Sequence, residues 1–135
     1  MKKYDELIFG REEEFFFLMD VIINEPQKVA AIVSANRDLL RVTNYSGENL
    51  LHWFAVENMC KEISLLRTLG SPIPTFALIH ALEMGHLEAV ILMLELGAEV
   101  EVSICKRALE CNSFKIPARK IRILKSYFKQ FGYML

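Results

Sequence analysis

The chain has 135 residues, of which 53% are hydrophobic and four are prolines, so it can bury a continuous core and leaves no room for a disordered tail. Its formal net charge of −1 and its pI of about 6.3 argue against a nucleic-acid-binding protein. The charge is divided, because residues 102–135 carry eight basic side chains against Glu110 alone, a net +7, and the rest of the chain carries −8. Such a division either steers an oppositely charged partner or simply solvates helix faces.

The N-terminal residues do not resemble an export signal, because Asp5 and the acidic triplet at 12–14 precede any long apolar run. The first apolar run, residues 15–23, is interrupted by Asp20, and the run at 89–94 is too short to cross a bilayer. We therefore expect no membrane span.

A step of 27 residues recurs along the second half of the chain. It separates Asn58 from Gly85, Gly85 from Asn112, and Gly70 from Gly97. The identical Ala-Leu-Glu triplets at 81–83 and 108–110 take the same step, and Glu25 lies 33 residues before Asn58. Equal offsets of this kind indicate an internal structural repeat.

The repeated unit resembles an ankyrin repeat, whose units read roughly Asp-x-x-Gly-x-Thr-Pro-Leu-His, a helix, a Gly-His turn, a second helix and Gly-Ala-Asp. Asn44 and Gly47 take the places of the Asp and Gly, and residues 49–52, Asn-Leu-Leu-His, take the place of Thr-Pro-Leu-His. The segment 85–100 carries the Gly-His turn and the Gly-Ala-Glu ending. The resemblance covers most of the chain and is weakest at both ends, where capping repeats are normally irregular.

This resemblance implies an all-α fold, an ankyrin-like solenoid of about four stacked helix pairs with one longer finger loop near residues 37–48. In chain order, the helices are expected at 11–24, 26–35, 48–57, 59–69, 75–84, 86–96, 103–111 and 117–131. They belong to a single domain, residues 1–135, with repeats at about 1–43, 44–74, 75–101 and 102–135. The two later joints are six residues shorter than the family period, so their fingers should be reduced to tight turns.

No catalytic or cofactor-binding motif is visible, because the chain lacks a Gly-x-Ser-x-Gly elbow, a phosphate-cradling glycine loop and a catalytic signature after any cysteine. The three cysteines form an odd set without paired spacing, which favours reduced thiols and a cytoplasmic location: Cys60, Cys105 and Cys111. His52 takes the place of the family's histidine, whose ring usually bonds backbone in the turn between units. His80 and His86 lack acidic or Cys neighbours at zinc-ligand spacing that would also recruit His52, so we expect no metal site and no cofactor.

The functional surface of an ankyrin-like stack is its concave side, formed by the finger and by one face of each first helix. Helix positions at i, i+3 and i+4 share a face. They predict a partner-binding surface of Tyr45, Ser46, Glu48, Trp53, Val56, Glu57, His80, Glu83, Met84, Arg107 and Glu110. Aromatic residues are enriched in binding hot spots. The alternative is that Trp53, Val56 and Met84 pack between neighbouring helices.

The last predicted helix is basic and amphipathic. Its basic side holds Lys115, Arg119, Arg122 and Lys129, and its apolar side holds Ile121, Leu124, Phe128 and Phe131. Such a helix either closes the stack as a cap or binds phosphate or an anionic lipid surface.

These features predict a non-catalytic protein-binding module that acts through its concave face. A narrower hypothesis is an immunity or inhibitor protein that neutralises a basic toxin domain, since some bacterial immunity proteins are ankyrin-like. The alternative is attachment to nucleic acid or to an anionic membrane through the C-terminal helix, although the basic side lacks the interleaved aromatic residues that nucleic-acid binding favours.

Overall fold

The computed structural model describes residues 6–135, and eight α-helices account for most of their regular structure. The helices are α1 Glu12–Asn24, α2 Val29–Ala35, α3 Leu50–Val56, α4 Cys60–Thr68, α5 Thr75–Glu83, α6 Leu87–Glu95, α7 Val102–Cys111 and α8 Ala118–Gln130. Two short 3-10 segments, Pro26–Lys28 and Arg37–Leu40, lie beside α2. The described residues form no strand, only one isolated parallel bridge, so the predicted all-α class is confirmed. None of their helices has the length and apolar character needed to cross a lipid bilayer.

Each predicted helix is present, and the ends shift by a few residues where a particular side chain decides them. α3 begins at Leu50 rather than at 48, because Asn49 is its N-cap and the Asn49 Oδ1 accepts a hydrogen bond of 3.0 Å from the backbone N–H of His52. α8 begins at Ala118, because Pro117 has an extended ψ of 142° and stands outside the helix. The second helix opens as a 3-10 turn at Pro26.

Asn58, Gly85 and Asn112, the three positions 27 residues apart, share one backbone conformation. All three are left-handed, with φ of 57°, 70° and 44°, and each follows the last turn of α3, α5 or α7. After α3 and α5 the next backbone N–H bonds a carbonyl five residues back, which is the Schellman ending of a helix. Glu25, at the corresponding place after α1, has a φ of −141° and departs from the pattern.

The helices contact one another in a regular order in the middle of the chain. α3 contacts α4 and α5, α5 contacts α6 and α7, α4 contacts α6, and α6 contacts α8. The two ends differ, because α1 and α2 also contact the 3-10 segment Arg37–Leu40, and α7 and α8 have their main contacts with α5 and α6 rather than with each other. Fully buried apolar side chains stabilise the packing of these helices: Leu51, Phe54, Leu66, Leu78, Leu82, Met93, Leu124 and Phe128.

Polar bonds also join the α3/α4 pair to the α5/α6 pair. The His86 Nε2–H donates to the Val56 carbonyl at 2.8 Å. The Asn58 side chain caps α6 from the neighbouring pair, because its Oδ1 accepts from the Ala89 N–H at 3.1 Å and its Nδ2 donates to Glu88 at 3.1 Å. Between the α5/α6 pair and α7 or α8, the described residues form no side-chain hydrogen bond, and buried apolar side chains such as Leu109, Leu124 and Phe128 fill that joint.

The loop predicted as a full finger does not form a hairpin. Its first part is the 3-10 segment Arg37–Leu40, and Val42 then forms its bridge with Ile8 of the N-terminal segment instead of with its own loop. The backbone N–H of Ile8 donates to the Arg41 carbonyl at 2.8 Å, and the Thr43 N–H donates to the Ile8 carbonyl at 3.0 Å. The N-terminal segment therefore takes up the backbone groups that a hairpin partner would have used.

Candidate functional site

The predicted partner-binding residues lie outside the core, on α3, α5, α7 and the turn before α3. The buried positions of α3 are 50, 51, 52, 54 and 55, and those of α5 are 77, 78, 79, 81 and 82. The predicted residues of these helices stand at positions outside the core and are here called the α3–α5–α7 face: Trp53, Val56, Glu57, His80, Glu83, Met84, Arg107 and Glu110. Since α5 contacts both α3 and α7, these residues lie on neighbouring helices.

The apolar residues of this face are half-buried rather than free. Trp53 packs against the core and stands edge-to-face with Phe54, with ring centroids 5.4 Å apart. Val56 and Met84 are also of intermediate exposure. Of the three, Trp53 is the one that packs against the core, while Val56 and Met84 are only partly covered.

The turn before α3 presents the most exposed aromatic side chain of the predicted surface. Tyr45 is 86% exposed and Ser46 is exposed beside it. Asn44 fixes this turn, because its Oδ1 accepts hydrogen bonds of 3.0 Å from the backbone N–H groups of Ser46 and Glu48. The Asn44 Nδ2 also donates to the Glu48 Oε1 at 3.0 Å, which orients the Glu48 carboxylate.

Glu48, His52 and His80 meet at the junction of the turn, α3 and α5. His52 Nε2 lies 2.8 Å from His80 Nδ1, within hydrogen-bonding distance, and 3.6 Å from Glu48 Oε2. His52 is buried, whereas Glu48 and His80 are partly exposed. The ring of His52 thus bonds a neighbouring histidine side chain, not the backbone as the ankyrin resemblance implied.

Burial sets the protonation state of His52. Desolvation lowers its pKa to about 4, against the opposing effect of the Glu48 carboxylate and with a further lowering by His80. His52 is therefore a neutral imidazole at neutral pH, with one nitrogen free to accept a hydrogen bond or to bind an ion.

Residue spacing predicted no metal site, yet Glu48, His52 and His80 stand together in the structure. Glu48 and His52 are separated by four residues, and His80 follows His52 by 28 residues, one repeat step plus one position. His80 therefore takes the place of Trp53 in its own unit, and only contact between α3 and α5 brings it to His52. The combination of an i, i+4 pair with a histidine about one period later is the sequence signal that could have found the cluster.

On α7 and α8 the predicted residues are exposed and carry charge. Arg107 and Glu110 are exposed on α7, where Cys105 and Leu109 face the core.

α8 buries Leu124 and Phe128 against the rest of the molecule. Phe131 does not belong to its apolar side as predicted, because it lies beyond the last turn and is 40% exposed. The basic side of α8 and the loop before it is exposed: Lys115, Arg119, Arg122, Lys125 and Lys129.

Two further features bear on possible chemistry. Burial is the main cause that raises the pKa of Cys60 and raises that of Cys105 to about 11, which keeps both thiols protonated and weakly nucleophilic.

A cleft of about 860 Å³ lies between the N-terminal segment and the loops after α4 and α6, with charged groups Glu6, Arg67 and Glu99 at its wall. These charged groups are not arranged as a nucleophile beside a base.

Comparison with known proteins found no match: no family model, no curated protein and no solved structure corresponds to this chain. The α3–α5–α7 face, the turn before it and the basic side of α8 are the candidate binding surfaces of the described residues.

Proposed function

We propose that this chain is an ankyrin-like stack of four helix pairs that binds another protein, without catalysis, through the α3–α5–α7 face and the turn at Tyr45 and Ser46. The observation that carries the proposal is the face itself: the same helix positions stay outside the core on three helices that pack in chain order. Repeat proteins use such surfaces, in which each unit contributes a few side chains to an extended contact.

The chemistry of the face supports a protein partner. Tyr45, Trp53 and Met84 offer apolar area with few or adaptable rotamers, which suits the buried centre of an interface. Glu57, Glu83 and Glu110 add carboxylates to the same face, so a partner whose contact surface carries basic residues fits best.

The test is capture of the partner from the source cell, with mass identification of the captured protein, followed by a comparison of two triple variants. Tyr45→Ala, Glu57→Ala and Glu83→Ala together should abolish capture while helical content stays unchanged. The matched control replaces three exposed residues of other helices, Glu13, Lys61 and Glu95, by alanine and should capture normally. Equal capture by both triple variants would refute the assigned face.

A narrower form of the proposal is an immunity or inhibitor protein for a basic toxin domain, located in the cytoplasm. The charge of −8 over residues 1–101 supports this form, because an acidic surface speeds encounter with a basic partner. It predicts 1:1 binding, an association rate that falls steeply with salt, and protection of cells that express the toxin. A captured partner with an acidic surface would exclude it.

A second candidate function is attachment to RNA, DNA or an anionic membrane through α8. Its support is that Arg119, Arg122, Lys125 and Lys129 are exposed and that, among the described residues, none of them forms a salt bridge. This candidate predicts salt-dependent binding to nucleic acid or to vesicles containing phosphatidylserine, lost on charge reversal of Arg119, Arg122 and Lys129. If the unmodified chain binds neither, α8 acts as a cap only.

A further inference from the structure

We propose that Glu48, His52 and His80 bind one divalent transition-metal ion, with zinc as the best match, and that the ion links α3 to α5. The three candidate ligand atoms lie within 4.8 Å of one another. His52 Nε2 and His80 Nδ1 are 2.8 Å apart, and Glu48 Oε2 is 3.6 Å from His52 Nε2. A metal site goes beyond partner binding and does not depend on it.

The donor atoms select the class of ion. Two imidazole nitrogens and one carboxylate oxygen suit zinc and other first-row transition metals, whereas calcium and magnesium prefer sets made of oxygen alone. At the tetrahedral angle, two nitrogens that each bind zinc at about 2.0–2.1 Å are roughly 3.3 Å apart. The observed separation of 2.8 Å is shorter by about half an ångström. The ring of His80 and the carboxylate of Glu48, both partly exposed, therefore have to rotate slightly to admit the ion.

A hydrogen-bonded histidine pair alone does not use all three groups. His52 Nε2 carries at most one hydrogen, yet the acceptor atoms His80 Nδ1 and Glu48 Oε2 both stand near it. If His80 Nδ1–H donates instead, its hydrogen occupies the lone pair of His52 Nε2, and Glu48 Oε2 receives no hydrogen from either of these nitrogens. A cation between the three atoms satisfies them together, and each histidine then keeps its single hydrogen on the nitrogen that does not bind the ion.

The neighbouring residues hold the ligands in the orientation that a metal site needs. Asn44 occupies the other carboxylate oxygen of Glu48, so Oε2 remains directed at His52. Asn49 fixes the start of α3, because its side chain accepts the backbone N–H of His52 and donates to the Leu40 carbonyl at 3.2 Å. Such outer partners orient metal ligands and raise affinity. The partial exposure of Glu48 and His80 leaves an approach path and room for a water ligand.

The experiment is a titration of the full chain, first stripped of metal with a chelator, with zinc chloride. We expect one zinc ion per chain and a rise in melting temperature of roughly 5–10 °C at a hundredfold excess over the dissociation constant. Glu48→Gln and His80→Gln should each weaken zinc binding more than tenfold. The controls His86→Gln and Cys60→Ser/Cys111→Ser, which alter the third histidine and the two more accessible thiols, should bind zinc as the unmodified chain does.

Cobalt(II) provides a readout that does not require any variant to fold. The cobalt-loaded chain should show visible d–d absorption without a near-ultraviolet thiolate charge-transfer band, because the proposed ligands are nitrogen and oxygen. The proposal is overturned if the unmodified chain binds no zinc, if His80→Gln binds it equally well, or if the thiolate band appears. Because capture of a protein partner is measured separately, failure of the metal site leaves the proposed function untouched.

Discussion

Thr43 is a single residue whose polar group is buried without compensation. Its side chain is fully buried. Among residues 6–135, its Oγ1 is the one buried side-chain nitrogen or oxygen atom without a hydrogen-bond partner. An unsatisfied buried hydroxyl costs about 1–3 kcal/mol. We predict that Thr43→Val, which keeps the shape and removes the hydroxyl, raises the free energy of unfolding by about 1 kcal/mol in urea denaturation. Loss of stability would show that the hydroxyl is bonded, and Thr68→Val at an exposed site is the neutral control.

Because His52 is buried, we predict that the stability of the metal-free chain depends on pH. Its pKa is lowered to about 4 in the folded state, below the ordinary value of 6.5, so the unfolded chain binds a proton at this residue at higher pH than the folded chain does. The contribution of neutral His52 to the free energy of unfolding is therefore fully present above pH 6.5 and is lost as the pH falls from 6.5 towards 4. The loss is about 3 kcal/mol at most, since each unit of pKa corresponds to about 1.4 kcal/mol.

Urea denaturation at several pH values, with chelator present, measures this loss. His52→Gln should flatten the dependence between pH 6.5 and 4, whatever its effect on overall stability. His86→Gln should retain the slope of the unmodified chain. An unchanged slope in His52→Gln would assign the pH dependence to other groups.

At the scale of elements, helix α6 depends on a side chain from the preceding pair. Asn58 combines two demands in one residue, because its backbone is left-handed and its amide caps the N-terminus of α6. Glycine satisfies the first demand and not the second. We predict that Asn58→Gly costs about 1 kcal/mol for the lost cap, and that Asn58→Ala costs about 1 kcal/mol more, because its Cβ must also adopt the left-handed region.

Chemical denaturation of both variants separates the two contributions. The capping bond should also appear in hydrogen exchange, since the Ala89 amide is its donor and should lose protection in both variants. Equal stability of Asn58→Gly and the unmodified chain would mean that the tertiary cap contributes nothing.

At the scale of the whole molecule, stability should be lowest at the C-terminal end. The α3/α4 and α5/α6 pairs are joined by polar bonds through Asn58 and His86 as well as by apolar contact. α7 and α8 contact α5 and α6 without any such bond among the described residues. Ile116, in the loop between α7 and α8, packs against Gly85 and lies 3.1 Å from the place that a Cβ would take there. An end unit with one neighbour opens more readily than an internal one.

Thiol labelling and hydrogen exchange both measure this opening. We predict that amides of α7 and α8 exchange faster than those of α3 to α6. Buried Cys105 of α7 should be labelled slowly at the rate of local opening, at denaturant concentrations too low to unfold the whole chain, while exposed Cys111 is labelled at once as an internal reference. Labelling of Cys105 only on global unfolding would show that the end unit is not separable.

The sequence by itself determined the helices and the turns between them. Apolar periodicity and the left-handed turn residues Asn58, Gly85 and Asn112 act within a few residues of the chain, so their effect is readable from local order. The sequence also places Trp53 and Met84 outside the fully buried core, but it does not show how far neighbouring side chains cover each of them.

Only the tertiary structure decided which side chains meet across helix pairs. His52 and His80, Asn58 and Ala89, and His86 and Val56 are each 28 to 31 residues apart, so their contacts depend on how one pair is rotated against the next. The same reason explains the loop at 37–48, where Val42 pairs with the N-terminal segment instead of forming a finger. Residue spacing fixes which face of a helix a side chain occupies, but the partner on that face is selected by packing between elements.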